Sequence, residues 1–247
     1  MCGFLVHYKF TLNSKFSKKN FINSSKLIQH RGPDDSCSVF KKNISMIFYR
    51  LSIIDQSTKG RQPMLSQSGR YTIVFNGEIY NAKKLREKIF NKVKFRGSSD
   101  TEVLINLYEI YGEKMLKFLK GMFSFVIYDN KTNKLFTARD RFGIKPLYYF
   151  KDEDQLILSS EIKPLLSYLK ETSFEETAFA KFFFKQELEA NKNTFFKNIK
   201  MHEPAVFKFF TSRREYSTIY WNIEQNKKLN TNNKNKIIKH LSELVTD

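Results

Sequence analysis

Apolar, β-prone runs alternate with polar stretches along this chain, and together they predict a succession of strands and helices. Residues 3–10 form the first such run and predict a strand starting almost at the N-terminus. Residues 17–28 predict a helix that ends in the loop His30-Arg31-Gly32-Pro33-Asp34-Asp35. Residues 38–40 and 44–54 read as strands, and residues 60–69 as a polar loop. The run 71–75 predicts a further strand, stopped by the turn dipeptide Asn76-Gly77. Asn81 is placed to cap a helix over 82–90. Ser99 or Asp100 is placed to cap another that runs to Tyr111. Its apolar Val103, Leu104, Leu107 and Tyr108 fall at helical spacing, and Gly112 is a natural stop.

The second half continues in the same way. Residues 123–128 and 134–138 predict strands around Asp129-Asn130-Lys131-Thr132-Asn133, a hairpin signal. Residues 147–150 and 155–159 predict a second hairpin. A short helix is expected from Ser160 toward Leu169 and another over 175–184, with late strands over 205–210 and 219–221. Residues 222–236 are rich in Asn and Lys and read as a linker. Residues 237–245 turn amphipathic again. Long β segments with helices between them predict a two-sheet α+β layered domain, and no internal repeat is visible.

Composition narrows the function classes. The chain has 247 residues, of which 41% are hydrophobic and 28% charged, a balance that excludes a wholly disordered chain. No apolar run approaches the ~18 residues of a membrane-spanning helix. The start lacks the basic region and cleavage site of a signal peptide. Two cysteines, Cys2 and Cys37, make no disulfide framework and have no metal-type spacing, so a reducing, cytoplasmic setting is expected. The net charge of +18 raises the question of nucleic acid. Its excess is mostly Lys, scattered among Asn, Phe and Ile, and short clusters such as Lys18-Lys19 and Lys83-Lys84 read as solvated faces. No nucleic-acid-binding motif is present, and neither a nucleic-acid nor a membrane partner is expected. His7, His30, His202 and His240 are too scattered to suggest a metal site.

The most informative position is Cys2. Removal of Met1 would leave a cysteine carrying both a thiol and a free α-amine. Such an amine has a pKa of about 7.7–8.0 and can accept the thiol proton near neutrality, so one residue supplies nucleophile and base. A near-terminal cysteine alone carries little weight; the rest of the chain changes that. Met1-Cys2-Gly3-Phe4 resembles the start of class II glutamine amidotransferases, which are N-terminal-nucleophile hydrolases. The blocks His30-Arg31-Gly32-Pro33-Asp34-Asp35-Ser36, Arg50-Leu51-Ser52-Ile53-Ile54-Asp55 and Gln62-Pro63-Met64 resemble the glutamine-dependent asparagine synthetase branch. So do Phe75-Asn76-Gly77-Glu78-Ile79-Tyr80-Asn81, Ser99-Asp100-Thr101-Glu102, the block from Arg139 to Tyr149, and Ser159-Ser160-Glu161-Ile162-Lys163. The ordered matches span residues 1 to about 165 and continue more weakly to Trp221; their order makes them specific.

The resemblance implies a four-layer αββα sandwich of the N-terminal-nucleophile hydrolase type. It implies a glutaminase domain over 1–221 with core motifs over 2–165, a linker over 222–236 and, over 237–247, the start of a truncated synthetase domain. By position, Cys2 would attack the glutamine side-chain amide and form a γ-glutamyl thioester. Asn76, through its side chain, and Gly77, through its backbone N–H, would form the oxyanion hole. A Gly there lets the backbone approach the ligand. Arg50 would grip the substrate α-carboxylate, which its forked guanidinium suits. Glu78 and Asp100 would hold the α-ammonium, and the backbone of Leu51, Ile53 and Ile54 would line the pocket. The implied partners are L-glutamine and a separate synthetase chain or domain. No cofactor is expected in this chain, since ATP and Mg belong to the synthetase domain, whose Ser-Gly-Gly loop is not in this sequence. The Arg139–Tyr149 block is expected to be structural and Cys37 a small buried filler. Phe48 stands where many relatives have His, which would remove a polar group near the pocket. The alternative to a glutaminase is a non-catalytic or truncated subunit that keeps the fold and binds glutamine or a partner. The acceptor of the released nitrogen stays open.

Overall fold

The computed structural model describes residues 1–11, 16–185, 193–211, 214–223 and 233–246. Two six-stranded antiparallel sheets form its centre. The first has the order β10 (Ile199–Met201), β8 (Tyr148–Lys151), β9 (Gln155–Ser159), β1 (Gly3–Lys9), β3 (Ile44–Arg50), β2 (Asp35–Phe40). The second has the order β12 (Glu215–Ile219), β11 (Val206–Phe210), β7 (Lys134–Arg139), β6 (Gly121–Asp129), β5 (Tyr71–Ile79), β4 (Met64–Leu65). The α-helices are α1 (Lys18–Ser25), α2 (Ala82–Ile89), α3 (Asp100–Tyr111), α4 (Lys163–Leu166), α5 (Glu176–Lys185) and α6 (Lys234–Thr246). Among the described residues no helix is long and apolar enough to cross a membrane.

Side-chain alternation along the strands fixes the layering. Phe4, Val6 and Tyr8 of β1 and Met46 and Phe48 of β3 meet Val74, Val126 and Tyr128 of the other sheet in a core between the sheets. The intervening residues face outward. Leu5 and Ile47 pack under Phe21 of α1 and Leu165 of α4. Ile73 and Phe75 of β5 pack under Leu85 and Ile89 of α2 and Val103 and Leu107 of α3. Three apolar interfaces therefore separate four layers, helix, sheet, sheet, helix, as the resemblance implies.

Several local expectations give way to tertiary structure. Asn76-Gly77 does not stop its strand: β5 continues to Ile79, with Asn76 opposite Ser124 and Gly77 opposite Phe123. The glycine is required by cross-strand packing, since a Cβ at Gly77 would collide with the Met122 carbonyl and stand 2.7 Å from Phe123 Cα. The strand expected over 44–54 ends at Arg50, and residues 51–54 form a loop. The loop at 60–69 contains β4, which pairs with β5. Asn81 precedes α2 but does not cap it; its side chain donates to the Phe118 carbonyl at 2.9 Å and accepts from Lys120 N–H at 3.0 Å. The helix expected from Ser160 toward Leu169 is the single turn α4. The last strand of the second sheet is β12, ending at Ile219 rather than beginning there. Part of the expected linker, residues 224–232, lies outside the described residues. Its end belongs to α6, because Asn233 accepts from the N–H groups of Asn235 and Lys236 and starts the helix there. Cys37 is only half-buried because β2 is an edge strand. Phe48 is buried in the core between the sheets and does not line the cavity described next.

Candidate active site

A cavity of about 190 Å³ opens where the first residues of the chain meet the ends of β3 and β5. That is small for a ligand site and fits a free amino acid better than a polymer segment. Its lining includes Cys2, Arg50, Leu51, Ile53, Ile54, Asn76, Gly77, Glu78 and Asp100, so the structure brings together every residue singled out from the sequence. Ile53 and Ile54 are both exposed residues at the rim of the cavity.

Cys2 immediately precedes β1. Arg31 holds its main chain, donating through Nε to the Cys2 carbonyl at 3.0 Å and through Nη1 to Glu161 at 3.0 Å. One residue along, Phe4 N–H donates to Ser160 Oγ and Ser160 N–H to the Phe4 carbonyl, both at 3.1 Å. The Cys2 thiol accepts from Leu51 N–H at 3.4 Å and donates to the Leu51 carbonyl at 3.6 Å. Burial raises the thiol pKa above the ordinary cysteine value and Asp100 adds to this; the Leu51 hydrogen bond, the N-terminus and Arg50 oppose it without reversing it.

Arg50 ends β3 against the His30–Asp35 loop. Asp34 N–H donates to the Arg50 carbonyl at 3.1 Å, and Ser52 N–H to Asp34 Oδ2 at 2.7 Å. The loop that follows wraps the guanidinium, which donates to the Ser57 carbonyl at 2.8 Å and to the Asp55 carbonyl. Gly60 makes room for it, because a Cβ there would run into Nη2. Asp55 ties this loop to the next one. Burial works against its charge, but donors from Ser57 Oγ, Ser57 N–H and Ser98 N–H outweigh burial and hold its pKa at about 2. Two of the five N–H donors of Arg50 are thus committed to carbonyls, which leaves capacity for an anion.

The β5 wall of the cavity has a regular logic. Residues 75, 77 and 79 share one parity, so their main-chain groups point to one side of the strand. Phe123, opposite Gly77, spends its N–H and carbonyl on Asp140, on the side away from β5. Gly77 is therefore a non-hydrogen-bonded position toward β6, and its N–H points the other way, to the cavity. Its neighbours of the same parity are both occupied. Phe75 N–H donates to Gln62 Oε1 at 2.6 Å while Gln62 Nε2 donates back to the Phe75 carbonyl at 3.3 Å, and Ile79 N–H donates to Asp100 Oδ2 at 3.0 Å. The Asn76 side chain is 1% exposed, and its Nδ2 has no hydrogen-bond partner among the described residues.

Ser99 caps α3 through Glu102 N–H and places Asp100 in the first turn. Burial raises the Asp100 pKa to about 6; the backbone donors of Ile79 and Thr101 oppose this, and the charge of Glu78 adds to it. Two carboxylates on one wall and a guanidinium on another complement a zwitterion. Sequence reasoning gave no role to Arg31, Gln62, Asp55, Gly60 or Lys145, of which all but Arg31 line the cavity. Arg31, Gln62, Asp55 and Lys145 lie inside the motif blocks, and Gly60 outside them. Their place at the site follows from how the loops fold against β3, β5 and β6 rather than from a local pattern.

Residues 1–221 match the glutamine amidotransferase domain family. The chain is 44% identical over 141 residues to "Asparagine synthetase [glutamine-hydrolyzing] 2" of Bacillus subtilis, a match covering 57% of this chain and 19% of that protein. It is 32% identical over 231 residues to "Asparagine synthetase [glutamine-hydrolyzing] 3" of the same organism, covering 92% of this chain and 38% of the relative. The chain thus spans well under half the length of these relatives. The structure resembles glutamine phosphoribosylpyrophosphate amidotransferase from B. subtilis with a TM-score of 0.60 at 19% identity, over 89% of this chain and 49% of that one. At that identity the likeness concerns the fold.

Proposed function

The chain belongs to the class II glutamine amidotransferase family, and from that premise we propose that it hydrolyses glutamine to glutamate and ammonia through a thioester on Cys2. One observation carries the reading: Asn76 Nδ2, buried and without a partner among the described residues, in the wall of the cavity that holds the Cys2 thiol. An unsatisfied buried donor costs about 1–3 kcal/mol. An oxyanion formed at the cavity would satisfy it, with Gly77 N–H as the second donor.

With Met1 removed, the α-amine of Cys2 takes the thiol proton. A base is needed because burial raises the thiol pKa. Sulfur attacks the amide carbon, the C–S bond forms, and the carbonyl oxygen takes the negative charge between Asn76 and Gly77. The tetrahedral centre collapses, the C–N bond breaks, and the α-ammonium returns its proton to the leaving ammonia. Water then attacks the thioester, releasing glutamate and restoring the thiol. Arg50 holds the α-carboxylate, and Glu78 and Asp100 the α-ammonium; Leu51, Ile53 and Ile54 complete the wall. The ammonia passes to a separate ATP-dependent domain or chain, as the names of the asparagine synthetase relatives suggest. Acid quenching of the chain during reaction with glutamine tests the mechanism. A γ-glutamyl group on the Cys2 peptide is expected; turnover with that peptide always unmodified would contradict it.

A further inference from the structure

Besides Asp55, which braces the loop around Arg50, one charged residue of the cavity lining takes no part in the steps above. Lys145 is held rigidly by its main chain. Its N–H donates to Asp140 Oδ2 at 3.0 Å, and its carbonyl accepts from Arg139 Nε at 2.7 Å. Asp140 also accepts from Phe123 N–H at 3.1 Å, Phe142 N–H at 3.1 Å and Ile144 N–H at 3.0 Å, and Arg139 is itself buried. This buried pair anchors the turn that carries Lys145 against the strand facing Gly77. Lys145 as a residue is 5% exposed and shares the cavity lining with Cys2, Asn76, Gly77 and Glu78. Among the described residues its ammonium makes no hydrogen bond and no ion pair within 4.0 Å.

The stem of Lys145 is buried while its ammonium opens onto the cavity, so a positive charge with no counter-ion among the described residues is presented to the space beside Cys2. We propose that Lys145 is a positioning residue for the nucleophile, its fixed positive charge favouring the ionised Cys2 thiol and the unprotonated α-amine. Both effects have the sign the attack needs: the thiolate is stabilised and the amine stays free to accept a proton. The surrounding charges are mixed. Burial lowers the proton affinity of Lys145 and Arg31 lowers it further, while Cys2, Asp140 and Glu78 raise it. At Cys2 itself, Arg50 and the N-terminus favour the ionised thiol and Asp100 opposes it; the coupling to Lys145 shows on the lysine, whose proton affinity Cys2 raises. Asp140 is occupied by four backbone donors, and Glu78 lies on the wall assigned to the substrate ammonium, so neither neutralises Lys145 directly.

The inference rests on Cys2 as the nucleophile, but its test does not require turnover. The rate at which iodoacetamide alkylates Cys2 is followed against pH by mass spectrometry of the N-terminal peptide, which keeps Cys37 out of the reading. The proteins are the parent chain, Lys145→Met, Lys145→Gln and Lys145→Arg, each first shown to be folded by its thermal melt. In the neutral variants the profile is expected to move up by about one pH unit, with alkylation about tenfold slower near pH 7. Lys145→Arg is expected to restore the parent profile to within about twofold. Superimposed profiles for a folded neutral variant and the parent would overturn the role, as would Lys145→Arg behaving like Lys145→Met. Shifted alkylation in a chain that never releases glutamate would overturn the glutaminase reading instead.

Discussion

At the residue scale, two side chains separate the chemistry from the binding. Asn76 Nδ2 has no acceptor among the described residues, so in the proposed mechanism its contribution falls on the transition state. Asn76→Ala should lower kcat for glutamine hydrolysis about 10²–10³-fold with little change in KM; a variant changed in KM alone would remove Asn76 from the oxyanion hole. Asp100 is the opposite case. Its pKa of about 6 in the folded chain lies above the ordinary carboxylate value because burial penalises the charge. The folded state therefore holds a proton the unfolded state has released, and Asp100 costs stability as pH rises from about 4 through about 6. Asp100→Asn should stabilise the fold by about 1–2 kcal/mol at pH 7.5 and sharply weaken glutamine binding. For the parent chain, KM should rise as pH falls below about 6, where the carboxylate is lost. Denaturant melts and a KM–pH profile check both, and a destabilised Asp100→Asn would show that the charge is not under strain.

At the element scale, β5 organises the site. Phe75, Gly77 and Ile79 turn their N–H groups to one side, and Gln62 and Asp100 take the outer two. The middle one faces the cavity, where the proposed mechanism gives it the substrate oxyanion. This pattern explains both what could be read from the sequence and what could not. Cys2, Arg50, Asn76, Gly77, Glu78 and Asp100 were recognisable because each sits in an ordered motif, and the cavity gathers them. The helices α2 and α3 and the hairpin of β6 and β7 follow from local spacing. Asn76-Gly77 misled because its turn signal is local, whereas the need for glycine comes from the Met122 carbonyl of the neighbouring strand. Gln62 and Lys145 sit in the same motif blocks but came with no role, because what brings them to the cavity is tertiary: Gln62 binds the main chain of Phe75 on the neighbouring strand, and Lys145 rides on a turn held by the buried Arg139 and Asp140. The short strands β4 and β10 have too few residues to announce themselves. Gly77→Ala should force β5 off β6, costing about 2–4 kcal/mol of stability together with glutaminase activity; a variant with the parent melt would mean that the two strands have room to spare.

At the scale of the whole molecule, acid stability should be set by two buried histidines. His202 sits between Thr137 Oγ1 and the Glu203 carbonyl, and His7 against Gln155. Burial lowers their pKa values to about 3 and about 4. Both values lie below the unfolded value of about 6.5, so the unfolded chain takes up protons first. Their neutral forms are fully compatible with the fold above about pH 6.5, and stability is lost as pH falls toward about 4. Asp100 runs the other way between about 6 and 4 and offsets part of the loss. The expected result is a steady fall in denaturation midpoint from pH 6.5 to 4, made shallower in a folded His202→Gln variant. A midpoint that rises over that range would show that Asp100 dominates.

The same four-layer frame places the candidate site, since the cavity that holds Cys2 lies where the start of β1 and the ends of β3 and β5 converge. Glutamate release from glutamine by the purified chain, with the loss of Met1 established by intact mass, tests the Cys2 assignment most directly. Turnover by the processed chain is expected, with none by Cys2→Ala of unchanged melt and none by chain that retains Met1. Equal turnover in Cys2→Ala would contradict it.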